Sequence, residues 1–153
     1  MKTTYQAELV SDLWEEMRRL HELHYREVAH YQDIPLDPDR ECYAAIEESG
    51  MLRCYTARHA GVLVGYAVFM VRANLHYRGS LQAVQDVLYL HHEHRRGRAG
   101  ITLIRFAEIR MRAEGVQVVY HHVKRSSKVG DLLGRLGYEL VDEVYAKRLD
   151  KKE

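Results

Sequence analysis

The segment "LHHEHRRGRAGITLIRFAEIR", Leu90 to Arg110, sets three arginines, two glycines and an alanine directly ahead of an apolar-periodic run. A strand end, a small-residue loop and a helix start in that order make an anion site by geometry. N–H groups at a helix start lack intrahelical acceptors, and the helix dipole adds to their pull on phosphate. Gly97, Ala99 and Gly100 let a ligand approach the main chain, and Arg95, Arg96 and Arg98 add charge-assisted contacts. No Gly-Lys-Ser/Thr follows, so this is not a P-loop, and the G-x-G-x-x-G spacing of a dinucleotide fingerprint is absent. A solvated basic turn is the other reading of the same residues, and the rest of the chain decides between them.

Upstream, "VQDVLYL" within Leu81 to His91 reads as a strand, and "MLRCYTARHAGVLVGYAVFMV" reads as two strands joined tightly at His59, Ala60 and Gly61. Leu13, Met17, Leu20, His24 and Val28 recur at helical spacing, with Ser11 or Asp12 as cap and Glu15 returning the bond. "DIPLDPD" carries both prolines and ends that helix, and a second short helix is expected over Arg40 to Ser49. Downstream, "VQVVYHHV" is a strand, "SSKVGDLLGRL" a short helix stopped at Gly137, and "YELVDEVYAKRL" one strand or a bent pair. With a first strand in "TTYQAEL", the order is β, α, α, β, β, β, α, β, α, β, β. That is a mixed α/β domain with an early antiparallel hairpin and a late βαβ crossover.

The 153 residues suffice for one domain with a real core, expected to span 1–153. Lys and Arg total 23 against 22 Asp and Glu, a balance that disfavours a dedicated nucleic-acid binder. Cys42 and Cys54 fit no metal or redox spacing and point to reduced thiols in a cytoplasmic protein. No signal-peptide stretch or bilayer-length apolar run is present in the sequence, so no membrane partner is expected. The side chains of "HHEH", His91 to His94, diverge at a strand end with no second cluster at matching spacing, so no metal is expected.

The chain resembles the GNAT superfamily of acetyl-CoA-dependent N-acetyltransferases over nearly its whole length. "AGVLVGYAVFMV" is similar to the family's hairpin and third strand, "DVLYLHHEHRRGRAGITLIRFAE" to its fourth strand, acetyl-CoA loop and third helix, and "LLGRLGYELVDEVYAKRL" to its closing elements. Small acetyltransferases of phages and prophages look nearest in flavour. Arg95 falls on the first position of the loop motif Gln/Arg-x-x-Gly-x-Gly/Ala and Gly100 on its last, while Arg98 replaces the middle glycine. The resemblance implies a central, mostly antiparallel sheet flanked by helices and splayed between its fourth and fifth strands. It implies acetyl-CoA as cosubstrate, its pyrophosphate on residues 95–100 and its pantetheine arm against main-chain groups of Leu88, Tyr89 and Leu90. Ser126 stands where the family commonly carries an asparagine seven residues before a tyrosine of the closing helix, here Leu133, and is grouped with the cofactor contacts. Dimers are common in such families, so a homodimer is compatible with the resemblance.

An ammonium attacks a thioester only after losing a proton, and Asp86, a strand carboxylate among apolar neighbours, is the candidate base or amine ligand. The family's usual acid, a tyrosine four residues before the Gly-Phe/Tyr step, is replaced by Leu133. His121, His122 or Tyr120 is the candidate to replace it, or the thiolate leaves unassisted, and alternation along the strand sends the two histidines to opposite faces. The resemblance assigns the acceptor walls to "HYREVAHYQDIPLDPD" and "RANLHYRGS". Tyr25, Tyr31 and Tyr77 there are able to stack on an acceptor, and Asp33, Asp37 and Asp39 to attract a cation. The leading expectation is an N-acetyltransferase acting on a primary amine of a small molecule or protein. The alternative is a catalytically impaired CoA- or protein-binding module on the same fold.

Overall fold

The computed structural model describes residues 2–151. They fall into two compact units that divide after His122. The first holds strand β1 (Thr3–Glu8), helices α1 (Val10–Val28) and α2 (Arg40–Glu48), strands β2 (Leu52–His59), β3 (Val62–Ala73) and β4 (Leu81–Leu90), helix α3 (Ala99–Ala113) and strand β5 (Val116–Tyr120). The second holds the short helix α4 (Val129–Arg135).

The sheet runs β1-β2-β3-β4-β5. The first three pairings are antiparallel and β4–β5 is parallel. The β2–β3 turn is two residues long, with Ala60 at φ 51° and Gly61 at φ 81°. Positive φ at both central positions matches the right-handed twist of the flanking strands.

Each face of the sheet has its own core. On one, α1 lays down Val10, Leu13, Met17 and Leu20 against Cys54, Tyr66, Val68 and Tyr89. On the other, α3 brings Leu103, Ala107 and Met111 onto Tyr55, Ala57, Phe69 and Val71. The helical spacing of the apolar residues sets both stripes.

Two expectations need correction. Helix α1 starts at Val10, and its end is capped neither by Ser11 nor by Asp12. Glu47 of α2 does so from outside, accepting from Val10 N at 2.6 Å, Ser11 N at 3.2 Å and Ser11 Oγ at 2.6 Å. A carboxylate there meets both orphan donors and the positive end of the helix dipole. The closing "YELVDEVYAKRL" forms no strand among the described residues, and Leu140 and Tyr145 are 87% and 88% exposed. β propensity acts through packing against neighbours, and this segment has no ladder partner to supply it. None of the described helices is long and apolar enough to cross a membrane.

Candidate active site

Parallel pairing between β4 and β5 stops at Val84 and Tyr120, yet β4 runs on to Leu90. From Gln85 onward it is laddered to β3 alone among the described strands. This is the expected splay. The Gln85 side chain bridges its mouth, with Nε2 donating to His122 O at 3.2 Å and Oε1 lying 2.6 Å from His121 Nδ1.

Asp86 is aimed by a slip in register. Phe69 pairs with Gln85 and Val68 with Val87, so Asp86 is the extra residue of a β-bulge. A bulge breaks the strict alternation of side chains and re-aims one of them. Gln85 stays with Phe69 and His121, whereas Asp86 turns to the α1–α2 face, where Tyr43 Oη donates to its Oδ2. Burial and that bond to Asp86 push the Tyr43 phenol well above its usual range. His21 of α1 is driven down by burial, and the charge of Asp86 partly opposes the shift. Rings connect these groups: Trp14–Tyr43 centroids are 5.7 Å apart and His21–Tyr66 5.4 Å. The Tyr66 hydroxyl is buried and has no hydrogen-bond partner among the described residues.

After β4 the chain makes a short 3₁₀ turn at His92–His94, passes Gly97 at φ 90°, and enters α3 at Ala99. The N-cap residue Arg98 makes no side-chain capping bond among the described residues. Thr102 N–H donates to Arg98 O at 2.8 Å, so the N–H groups of Ala99, Gly100 and Ile101 precede the intrahelical ladder. A Cβ on Gly100 would meet only Leu90 Cδ2, at 3.7 Å, and one on Gly97 would meet nothing within 4 Å. An uncapped helix start beside open main chain and a bare strand edge fits a phosphate-bearing thioester with an extended arm.

The three loop arginines are not equivalent. Arg95 donates through NH2 to both oxygens of Glu27, at 3.0 and 2.7 Å, and through Nε to Leu90 O at 2.7 Å. Its guanidinium also lies over the Tyr89 ring, 5.4 Å from the centroid. It therefore ties the end of α1 to the end of β4, while Arg96 and Arg98 are exposed on the loop and have no ion partner among the described residues.

The structure brings Asp86, Leu88, Tyr89 and Leu90 together on β4, with the loop of residues 95–100 directly after it. His121 and His122 follow β5, so the expected alternation does not govern them. His121 is half-buried against Phe69, its imidazole held down to about 4 by burial first and His122 second, and His122 is exposed. The Tyr25 hydroxyl folds back onto the carbonyls of Gln32 and Ile34. Tyr25 also lines a groove of about 490 Å³ along α1 and the α1–α2 connection, with Trp14, His21, Leu36 and Asp37. Tyr31 stacks edge-on with His30 at 4.6 Å, and Tyr77 sits 68% exposed on the β3–β4 loop. Asp39 is occupied as the N-cap of α2, accepting from Cys42 N at 2.9 Å. In the second unit Ser126 lies in an exposed turn and Leu133 is a buried apolar residue of α4. His94 lies 5.1 Å from His59 and His91 lies 4.4 Å from His92, ring centroid to centroid, but no cluster of three or more ligand side chains among the described residues is arranged to hold a metal ion.

Tyr43, Gln85 and Glu27 have no local signature. Each acquires its role from a partner more than thirty residues away.

With this geometry in hand, comparison with known proteins is direct. A profile of the acetyltransferase (GNAT) family matches residues 8–138. The chain belongs to that family, whose enzymes draw the acetyl group from acetyl-CoA. Among solved structures, an aminoglycoside acetyltransferase from an uncultured soil metagenomic sample superposes with a TM-score of 0.76 at 15% identity, over 99% of this chain and 100% of that one. The ribosomal-protein-alanine N-acetyltransferase of Brucella melitensis biovar Abortus 2308 gives 0.71 at 17% identity, over 97% and 99%. An acetyltransferase of Trypanosoma brucei gives 0.72 at 17% identity, over 97% and 100%. Identities this low establish shared fold, not shared substrate. No curated protein sequence matches the chain. The phage or prophage flavour finds no support in these comparisons.

Proposed function

We propose that the chain transfers the acetyl group of acetyl-CoA to a primary amine of a small molecule or a protein. The observation that carries this reading is the coincidence, within β4, of lost β5 pairing and the Asp86 bulge. The pantetheine arm takes the place of the missing strand, pairing with main-chain groups around Leu88 and Tyr89. The pyrophosphate lies on the start of α3 with Arg96 and Arg98 as its cations. A backbone N–H near Tyr89 or Leu90 polarises the thioester carbonyl.

Asp86 receives the acceptor as an ammonium and takes one proton from it. The nitrogen lone pair then forms the C–N bond, and the C–S bond breaks with its pair leaving on sulfur. The nitrogen gives up its second proton; of the two released, one ends on the CoA thiol and the other in water. With Leu133 at the position of the usual acid, the thiolate takes its proton from solvent. His121, held neutral near pH 7, is the side chain at the mouth of the splay able to order that water.

The test is release of CoA thiol with a panel of primary amines, beside melting scans with acetyl-CoA, CoA and an oligonucleotide. A ligand at 100 times its Kd stabilises a protein by about 2.7 kcal/mol. Stabilisation by acetyl-CoA and amine-dependent thiol release is the expected result. Stabilisation without transfer to any amine would favour the binding-module alternative.

A further inference from the structure

Asp86 is exposed, yet it does not stand alone, and its surroundings narrow what it receives. Tyr43 reaches it from α2 and fixes one carboxylate oxygen, Oδ2. No described arginine or lysine pairs with this carboxylate. Beside it stands a wall of rings. Trp14 contacts both Tyr43 and His21, and His21 contacts Tyr66. Trp14 and His21 also line the groove along α1, whose other walls include Tyr25, Leu36 and Pro38. A fixed, unpaired carboxylate next to aromatic faces suits a cation whose carbon stem is apolar or flat, because the ring faces attract positive charge and cover the stem.

We propose that the acceptor's ammonium is received by an Asp86 carboxylate that Tyr43 positions, with its carbon stem lying along the groove walled by Trp14 and His21. This rests on the amine-acetylating reading above and adds a positioning residue and a substrate class to it. Tyr43 acts through Asp86: its hydroxyl holds one oxygen so that the other faces the ammonium without a rotameric search. The Tyr66 hydroxyl, buried with no hydrogen-bond partner among the described residues, lies behind the same wall.

His21 is the built-in reporter, because the charged and titratable groups around it come from several elements. They are Tyr43 of α2, Tyr66 of β3, Asp86 of β4, Arg18 and Glu22 of its own helix, and Asp37 of the connection. Burial lowers its basicity and the Asp86 charge opposes that shift, so Asp86→Asn should move the His21 titration to lower pH.

The experiment uses the whole chain labelled at histidine nitrogens, without cosubstrate, followed by NMR. 2-Phenylethylamine, protonated near pH 7, serves as the probe. The proposal expects it to shift the His21 ring signals of the wild type. It expects Asp86→Asn to weaken the probe by about tenfold or more, the size of a lost charge-assisted hydrogen bond, and Tyr43→Phe by about threefold or more, the size of a lost side-chain pre-organisation, with amide spectra otherwise unchanged. A His21 signal indifferent to the probe, a His21 titration unmoved by Asp86→Asn, or wild-type probe affinity in Tyr43→Phe would overturn it. Binding is read without turnover. A chain that seats the amine but transfers nothing would sink the acetyl-transfer reading and leave this one standing.

Discussion

Arg95 and Glu27 form a two-pronged ion pair at 3.0 and 2.7 Å that joins the α3 loop to the end of α1. The same guanidinium holds Leu90 O, so the end of β4, the α1 terminus and the loop are fixed to one another. The side chains are 44% and 37% exposed, which puts the pair among surface ion pairs, and both bonds come from the single nitrogen NH2 because Nε is engaged with Leu90 O. A double-mutant cycle of Arg95→Met and Glu27→Gln, read by urea unfolding, should give a coupling within the range for exposed pairs, about 0.2–1 kcal/mol. A coupling indistinguishable from zero would leave the clamp a contact of no energetic weight.

Gly100 separates cofactor binding from folding. Its Cβ position is open apart from Leu90 Cδ2 at ordinary contact distance, so Gly100→Val should fold normally. The added side chain would instead stand over the donors that precede the α3 ladder and block phosphate. Acetyl-CoA affinity by calorimetry should fall strongly while circular dichroism stays unchanged, and unaltered affinity would put the nucleotide elsewhere.

Gly65 is the opposite case. A Cβ there would lie 2.7 Å from Leu90 Cδ1 and 2.8 Å from the backbone oxygen of Tyr89, and backbone has little room to yield. Gly65→Ala should destabilise the chain by about 1–3 kcal/mol through overpacking. It should also weaken acetyl-CoA binding, because β4 is displaced where it borders the splay. Chemical denaturation and a cofactor titration on the same variant check both.

Much of the fold was legible because its signals are local. Helical spacing gave α1 and α3, glycines at 61, 115 and 137 marked turns that adopt positive φ, and β-rich runs gave β2 to β4. The splay came from a resemblance whose motif residues sit together in sequence. The site's finer parts were hidden because they are relations between distant residues. A bulge is a property of register, so nothing in "VQDVLYL" announces that Asp86 is the residue left over. Tyr43 looks like any half-buried helix residue until α2 is set against β4, and Glu47 looks like a surface acid until it caps α1. "YELVDEVYAKRL" misled for the same reason, since a strand needs a partner as well as a composition.

Acid should weaken the molecule through Arg58, which joins Glu8 at 3.0 Å and Glu16 at 2.8 Å. Burial alone would raise the Glu8 carboxyl, but hydrogen bonds from Arg58 and Thr56 hold it below its usual 4.5, and Arg58 lowers Glu16 as well. Carboxyls depressed in the folded state contribute stability that is present above the unfolded value and lost as pH falls through the folded ones. Urea midpoints should therefore drop between about pH 5 and about pH 3, and less so in Arg58→Met. That variant should already be weaker at neutral pH by about 1–3 kcal/mol, since Glu8 is left partly buried without its cation. Parallel pH curves for the two proteins would remove Arg58 from the account.

The central claim is that Asp86 handles the acceptor amine and not the nucleotide. It is tested most directly by single-turnover acetyl transfer with saturating acetyl-CoA, wild type against Asp86→Asn, across pH. The account predicts a rate lower by about 10²–10⁴, the range for a positioned base, with acetyl-CoA Kd unchanged. A variant that keeps the full wild-type rate at every pH would contradict it, leaving Asp86 a structural acid at the bulge.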